Sequence, residues 1–242
     1  MDLSIRTHMG KIIRAPLRLI PPSLRVPILC QPLRGKKWIA GSGPHGFWLG
    51  IAEKDKRIHF TNNLHLNDVV YDIGANVGFY SMLSAAVSNR PVYAFEPSPR
   101  NYEYLLKHIE MNGFDTIKPF MLAVGDFDGT ASFDADCDPV AQRISPSGSL
   151  NVEVCQLDTA VKKYGLLAPS IIKIDVEGHE LEVLKGAVQL LQDYKPKLYI
   201  ETHDRFNPGV HDRCLEFLHD HGYEHKILDW EATEVYASPR LH

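Results

Sequence analysis

Residues 69–81 read Val-Val-Tyr-Asp-Ile-Gly-Ala-Asn-Val-Gly-Phe-Tyr-Ser: an apolar run, a turn holding two glycines, and the start of a helix. A strand that passes straight into a glycine turn and a helix is the opening unit of an open, mostly parallel α/β sheet. Its helix-start N–H groups face the crevice beyond the strand end, where nucleotide-like ligands bind. The alternation continues along the chain, with strands expected near 69–73, 92–96, 118–124, 170–175 and 197–202. Helices are expected near 79–89, 98–112, 178–192 and 209–221. Lys226–Asp229 and Glu234–Ala237 flank Trp230-Glu231-Ala232 and read as a closing hairpin. The fold class is therefore α/β, with helices on both faces of a mostly parallel sheet. Gly129–Phe133 and Asn151–Gln156 read as extra strands around a polar loop, Asp134–Ser149, placed to shape a substrate pocket.

The turn argues against a dinucleotide. The fingerprint G-x-G-x-x-G falls here on Gly74, Asn76 and Phe79, so two of its three glycines are missing. Asn76 tolerates left-handed backbone angles, but it leaves less room for a diphosphate. Asp72, just before the turn, would repel phosphates yet could hold an ammonium group, directly or through water. S-adenosylmethionine (SAM) carries that ammonium, a ribose and no phosphate. The expected cofactor contacts are Asp72, Gly74, Ala75, Asn76, Gly78, Tyr80 and Ser81. A second strand ends in Phe95-Glu96-Pro97, about 20 residues beyond the turn, where an acid accepts hydrogen bonds from both ribose hydroxyls. Glu96 takes that role and Pro97 flanks it; the plainer alternative is an acid capping the helix that begins near Ser98. Asp126, after Ala123-Val124-Gly125, is placed to accept from the adenine amino group, or is a simple turn acid.

Three segments carry a resemblance. Asp72 to Gly78, Phe95-Glu96-Pro97-Ser98-Pro99 and Ile172 to Glu180 closely resemble the signature segments of FkbM-type methyltransferases. Gly41–Glu53 and Asn112-Gly113 also look familial, and the resemblance spans roughly Leu33 to Pro239. It implies a Rossmann-like class I methyltransferase with a seven-stranded sheet ending in an antiparallel hairpin. It further implies methyl transfer from SAM, leaving S-adenosylhomocysteine (SAH), to a hydroxyl of a sugar, glycolipid or other natural product.

Transfer to an unactivated hydroxyl gains from alignment and from a base that removes its proton, worth roughly 10²–10⁴-fold. Two strand ends open onto the same crevice. Asp175 leads into Val176-Glu177-Gly178-His179-Glu180, and Glu201 leads into Thr202-His203-Asp204. Asp175, His179, His203 and Glu201 are thus the catalytic candidates, the histidines as bases. Glu180 is read as an acid favouring a helix start. A divalent ion on Asp175 and Glu201, with Thr202 or His203, is the less favoured alternative. Asp134, Asp136 and Asp138 lack the rest of a calcium loop, and His211, Cys214, His219 and His221 lack a zinc-site spacing.

With 242 residues and 44% hydrophobic content, the chain suits one domain, expected over 38–242. Residues 1–37 form a basic arm, with eight Lys or Arg against Asp2, while the net charge of the whole chain is −4. The arm reads as a helical cover on the domain or a peripheral contact with an anionic membrane surface near a lipid-linked substrate. It is not a convincing signal peptide or membrane span. The acidic main domain speaks against nucleic acid. Four scattered cysteines (Cys30, Cys137, Cys155, Cys214) suggest reduced thiols and a cytoplasmic setting. The rival functions are an NAD(P)-dependent oxidoreductase and a catalytically inactive SAM-binding or scaffold protein.

Overall fold

The computed structural model describes residues 17, 19–135, 138–139, 141–228 and 233–240. The arm's residues 1–16 and 18, Asp136, Cys137 and residues 229–232, where Trp230-Glu231-Ala232 fall, lie outside the described residues. The described part of the arm includes a hairpin, in which β1 (Arg25–Pro27) pairs antiparallel with β2 (Lys37–Ile39). Ile28, Leu33 and Trp38 are fully buried against the helices beneath, so this stretch belongs to the core. Two helices follow, α1 (His45–Leu49) and α2 (Lys54–Asn62).

β3 (Val70–Ile73) opens the central sheet and α3 (Phe79–Val87) follows its turn. β4 (Val92–Phe95) leads into α4 (Pro99–Asn112), where Ser98 caps the start with Pro at the first position and Gly113 closes the end in a left-handed conformation. The expected strand over 118–124 is two strands. β5 (Ile117–Phe120) is the sheet's edge, where Pro119 is tolerated. β6 (Ala123–Gly125) leaves to pair with β9 (Leu150–Gln156). Together with β7 (Gly129–Asp134) and β8 (Arg143–Ile144) they form a separate four-stranded sheet, so the polar loop carries a short strand.

After α5 (Leu157–Tyr164) and β10 (Ile171–Ile174), the helix expected over 178–192 breaks into α6 (Glu180–Lys185) and α7 (Val188–Tyr194). Gly186 sits so close to Gly125 that a Cβ would strike its carbonyl oxygen. Across the gap, the Asp158 carboxylate accepts the Gln189 and Leu190 N–H groups at 2.9 Å. β11 (Lys197–Glu201), α8 (Val210–Asp220) and the antiparallel pair β12 (Tyr223–Ile227) and β13 (Glu234–Pro239) complete the chain. The seven-stranded order is β12-β13-β11-β10-β3-β4-β5, parallel from β11 to β5. The chain runs outward from β3 to β5, then returns to β10 on the other side. The switch point, and hence the crevice, lies at the β3 and β10 ends.

Alternation along the strands splits the core. Tyr71, Ile73, Phe95, Ile172 and Ile174 pack on one face with α5 to α8. Val70, Ala94 and Ile171 pack on the other with the hairpin and α2 to α4. Asp72 and Lys173, opposite one another in register, share this second face. Among the described residues, no helix is long and apolar enough to cross a membrane.

Candidate active site

The turn takes left-handed angles at Gly74 (φ 74), Asn76 (φ 49) and Gly78 (φ 92), as expected of a glycine turn with asparagine at its centre. Its N–H groups are all used internally. Gly74 and Ala75 donate to the Phe95 carbonyl at 3.0 and 2.9 Å, and Asn76 donates to Glu96 Oε2 at 2.7 Å. Val77 donates to Asn76 Oδ1 at 2.8 Å and Gly78 to the Ala75 carbonyl at 2.8 Å. A diphosphate would find no donor in this turn.

Glu96 is 5% exposed and faces the crevice cavity, accepting also from the Ser98 N–H at 2.8 Å. Both sequence roles meet in it, since it supports the helix start and presents a carboxylate to the cavity. Burial pushes its pKa up to about 7, against the opposing pull of the Ser98 and Asn76 N–H groups. Gly74, Ala75, Asn76, Tyr80 and Pro97 also form the cavity wall. Four expected cofactor contacts do not. Asp72 is 1% exposed beneath the turn, where Oδ2 accepts from Ser81 Oγ at 2.5 Å and Oδ1 faces Lys173 Nζ at 3.5 Å. Asp72 and Ser81 thus brace the turn from below. Gly78 lies under Leu105, and Asp126 is an exposed turn acid away from the cavity.

On the opposite wall stand Lys173, Asp175, Glu177, His179 and Glu201. Lys173 is buried, donates to the Gly74 carbonyl at 3.1 Å and lies 3.2 Å from Asp175 Oδ2. Burial alone would lower its pKa; Asp175 and Asp72 raise it, so it stays charged. Glu201 reaches Lys56 at 2.5 Å, and Glu234 and Glu53 lie 3.0 and 3.4 Å from the same ammonium. Tyr80 donates to Glu53 at 2.8 Å, joining the turn's helix to this cluster.

His203 is not in the cavity wall and is not a free base. Its Nδ1 lies 2.8 Å from Glu180 Oε1, and its Nε2 lies 3.4, 3.5 and 3.8 Å from Glu177, Glu201 and Asp175. Burial opposes its charge, but these four carboxylates outweigh burial and push its pKa up to about 11. Glu180, fully buried, is a partner for His203 and for the Gly178 N–H, beyond any helix-dipole role. The His179 imidazole, by contrast, makes no hydrogen bond to the described residues, and its Nδ1 is buried. The four zinc candidates scatter: His211 bonds Thr202, His221 bonds the Phe217 carbonyl, Cys214 is in the core and His219 pairs with Asp220.

The polar loop closes the third side. Asn76 and Asn101 both donate to the Pro139 carbonyl, at 3.1 and 3.0 Å, which ties the loop to the turn and to α4. Arg143 joins the wall and stacks 4.2 Å from the Phe206 ring centroid. Sequence reasoning missed the working parts of Lys173 and Lys56. A lysine inside the apolar run Ile171-Ile172-Lys173-Ile174 is a readable signal, because a buried ammonium needs acids. Lys56 gave none, since Glu201 and Glu234 meet it only through the fold.

The chain belongs to the methyltransferase FkbM domain family, which matches residues 72–225. Class I methyltransferases share its fold. Among its relatives, the hexuronic acid methyltransferase AglP of Haloferax volcanii is 31% identical over 146 residues, 59% of each chain. The 31-O-demethyl-FK506 methyltransferase FkbM of Streptomyces tacrolimicus is 25% identical over 215 residues, 74% of this chain and 80% of that one. The crystal structure of a methyltransferase FkbM from Methylobacillus flagellatus superposes with a TM-score of 0.51 at 20% identity, covering 72% of this chain and 44% of that one. The match thus spans 59% of the archaeal relative's length and less than half of the solved chain.

Proposed function

We propose that the protein is a SAM-dependent O-methyltransferase acting on a hydroxyl of a sugar, glycolipid or related natural product. The observation that carries this reading is the turn 74–78, whose N–H groups are all bonded internally while Glu96 presents a buried carboxylate to the same cavity. That arrangement suits a ribose and disfavours the pyrophosphate of NAD(P). The cavity's apolar residues Phe95, Leu122 and Val124, beside Glu96, suit an adenine ring. When bound, SAM supplies an activated methyl carbon.

The chain's own residues would do the rest. Glu96 accepts the ribose hydroxyls. Asp175, held by Lys173 and lining the cavity, would orient an acceptor hydroxyl. His179, with no hydrogen bond to the described residues, takes the hydroxyl proton as general base. Sugar and natural-product acceptors follow from the names of the two relatives. Arg143 at the wall suits an acceptor with an anionic group, such as a uronic acid. Calorimetry with SAH and with NAD tests the cofactor, and tight NAD binding without SAH binding would overturn the reading. His179→Ala is expected to lower methyl transfer to a responsive sugar acceptor about 10²-fold with SAH affinity retained; unchanged turnover would remove His179 from the reaction.

A further inference from the structure

We propose that Asp175, Glu177 and His203 form a binding site for one divalent cation of the Mn²⁺ or Mg²⁺ class, with Glu201 beside them. The first argument is the direction of each ligand atom. Asp175 keeps Oδ2 on Lys173 at 3.2 Å and turns Oδ1 toward His203 Nε2 at 3.8 Å. Glu201 keeps Oε2 on Lys56 at 2.5 Å and turns Oε1 toward the same nitrogen at 3.5 Å. Glu177 Oε2 completes the ring at 3.4 Å from Nε2. Three carboxylates from two strand ends therefore converge on one imidazole nitrogen.

His203 itself supplies the second argument. Its side chain is only 10% exposed; Nε2 faces the three carboxylates at 3.4–3.8 Å, while Nδ1 is held 2.8 Å from Glu180 Oε1. Glu180 has zero exposure, and the same oxygen is anchored by the Gly178 N–H at 2.8 Å. A ligating histidine typically has its second nitrogen fixed by a carboxylate in this way, which leaves the first directed at the metal. Separations of 3.4–3.8 Å are long for an N–H to carboxylate bond. They suit atoms sharing a metal with bonds of about 2.1 Å, which stand roughly 3.0 Å apart at right angles and about 3.4 Å at tetrahedral angles. The ligand atoms of Asp175, Glu177 and His203 all lie within 4.8 Å of one another.

The neighbouring acids Glu53, Glu201 and Glu234 already surround an ammonium, Lys56 Nζ, so that cluster has its cation. Around His203 the metal ion would take that part, with a neutral imidazole as its ligand. Carboxylate-rich sets with one imidazole suit Mn²⁺, with Mg²⁺ as competitor. Asp175, Glu177 and Glu201 also face the cavity, so the ion would reach an acceptor hydroxyl and lower its pKa. That last step rests on the methyl-transfer reading; the site does not.

Electron paramagnetic resonance on the full chain, stripped with EDTA and titrated with Mn²⁺, tests the proposal. One bound Mn²⁺ per chain is expected, displaced by excess Mg²⁺ and showing ¹⁴N coupling from an imidazole. His203→Ala and Glu177→Gln should each weaken binding at least tenfold, and Glu180→Gln, which loosens both His203 and the Gly178 N–H, about 10–100-fold. Glu234→Gln, in the other cluster, should leave it unchanged. The ¹⁴N coupling reads the wild-type chain, so a variant that misfolds does not spare the proposal. No stoichiometric Mn²⁺ binding at millimolar concentration, or bound Mn²⁺ without nitrogen coupling, overturns it. SAH calorimetry on the same sample keeps the readings apart. SAH bound without Mn²⁺ overturns the cation site alone, and Mn²⁺ bound without SAH overturns the methyl-transfer reading alone.

Discussion

Glu96 shows how one side chain can serve fold and ligand together. Its two oxygens take N–H groups from the two segments that frame the cavity, the turn through Asn76 and the start of α4 through Ser98. Each oxygen keeps a further lone pair for a ribose hydroxyl. Burial has a consequence for pH, because its pKa stands at about 7 against an ordinary 4.5. A carboxyl raised by folding holds a proton between those values that the unfolded chain has lost. Ionising it therefore costs stability, fully above about pH 7 and not at all below the ordinary value. Ribose hydroxyls donate to the ionised form, so binding pulls the other way. SAH affinity is expected to be full above about pH 7 and to fall, by up to roughly tenfold per pH unit, below it. Calorimetry from pH 8 to pH 6 checks this, with Glu96→Gln expected to bind weakly and without the slope. A flat wild-type profile would mean that the ribose does not use this carboxylate.

Among the elements, the break between α6 and α7 is the clearest case of tertiary structure overriding local pattern. Residues 178–192 carry helical spacing throughout, yet the helix stops because Gly186 presses on the Gly125 carbonyl. The second half restarts under a cap borrowed from α5, where Asp158 takes the N–H groups of Gln189 and Leu190. Asp158→Ala should lower stability by about 1–2 kcal/mol in a denaturant titration, the range for losing a helix cap. A loss below a few tenths would mean that the restart needs no cap. The same contact explains what the sequence hides. Order along the chain made the opening turn, the strand ends and the closing hairpin legible, since each is written in consecutive residues. The second sheet was half legible: β7 and β9 read as strands, but β6 looked like an extension of β5 until its pairing with β9 placed it elsewhere. Among site residues, Glu96, Asp175, Glu201 and His179 could be placed because they end or follow strands. The roles of Asp72 and His203 could not, because Lys173 and Glu180, which bind them, come from distant segments.

At the scale of the whole molecule, Lys56 adds a charge tie to a contact that His59 and Phe60 already make with Tyr199 and Tyr236. It sits on α2, ahead of the central sheet in sequence, and its ammonium lies between Glu201 at the end of β11 and Glu234 at the start of β13. Glu53 and, through it, Tyr80 extend the tie to α3. Burial alone would drive the proton off Lys56, but Glu53 and Glu201, with help from Glu234, hold its pKa well above the ordinary value. The acids respond as a group: Lys56 holds Glu201 well below the usual range, while burial pushes Glu234 up to about 8. This is a charge cluster balanced by one ammonium, and breaking it should cost more than any of its bonds. Lys56→Met keeps the volume and the apolar stem but takes the ammonium away from the three acids around it. Removing one partner of a buried ion pair costs about 3–5 kcal/mol, or roughly 10 °C in melting temperature for a chain of this size. Adding Glu234→Gln to that variant removes one of those acids and should recover part of the loss. Scanning calorimetry of the three proteins decides the matter. If Lys56→Met melts with the wild type, the tie between α2 and the sheet is carried by packing alone. If the double variant is no better than the single, the loss comes from lost packing and not from repulsion among the acids.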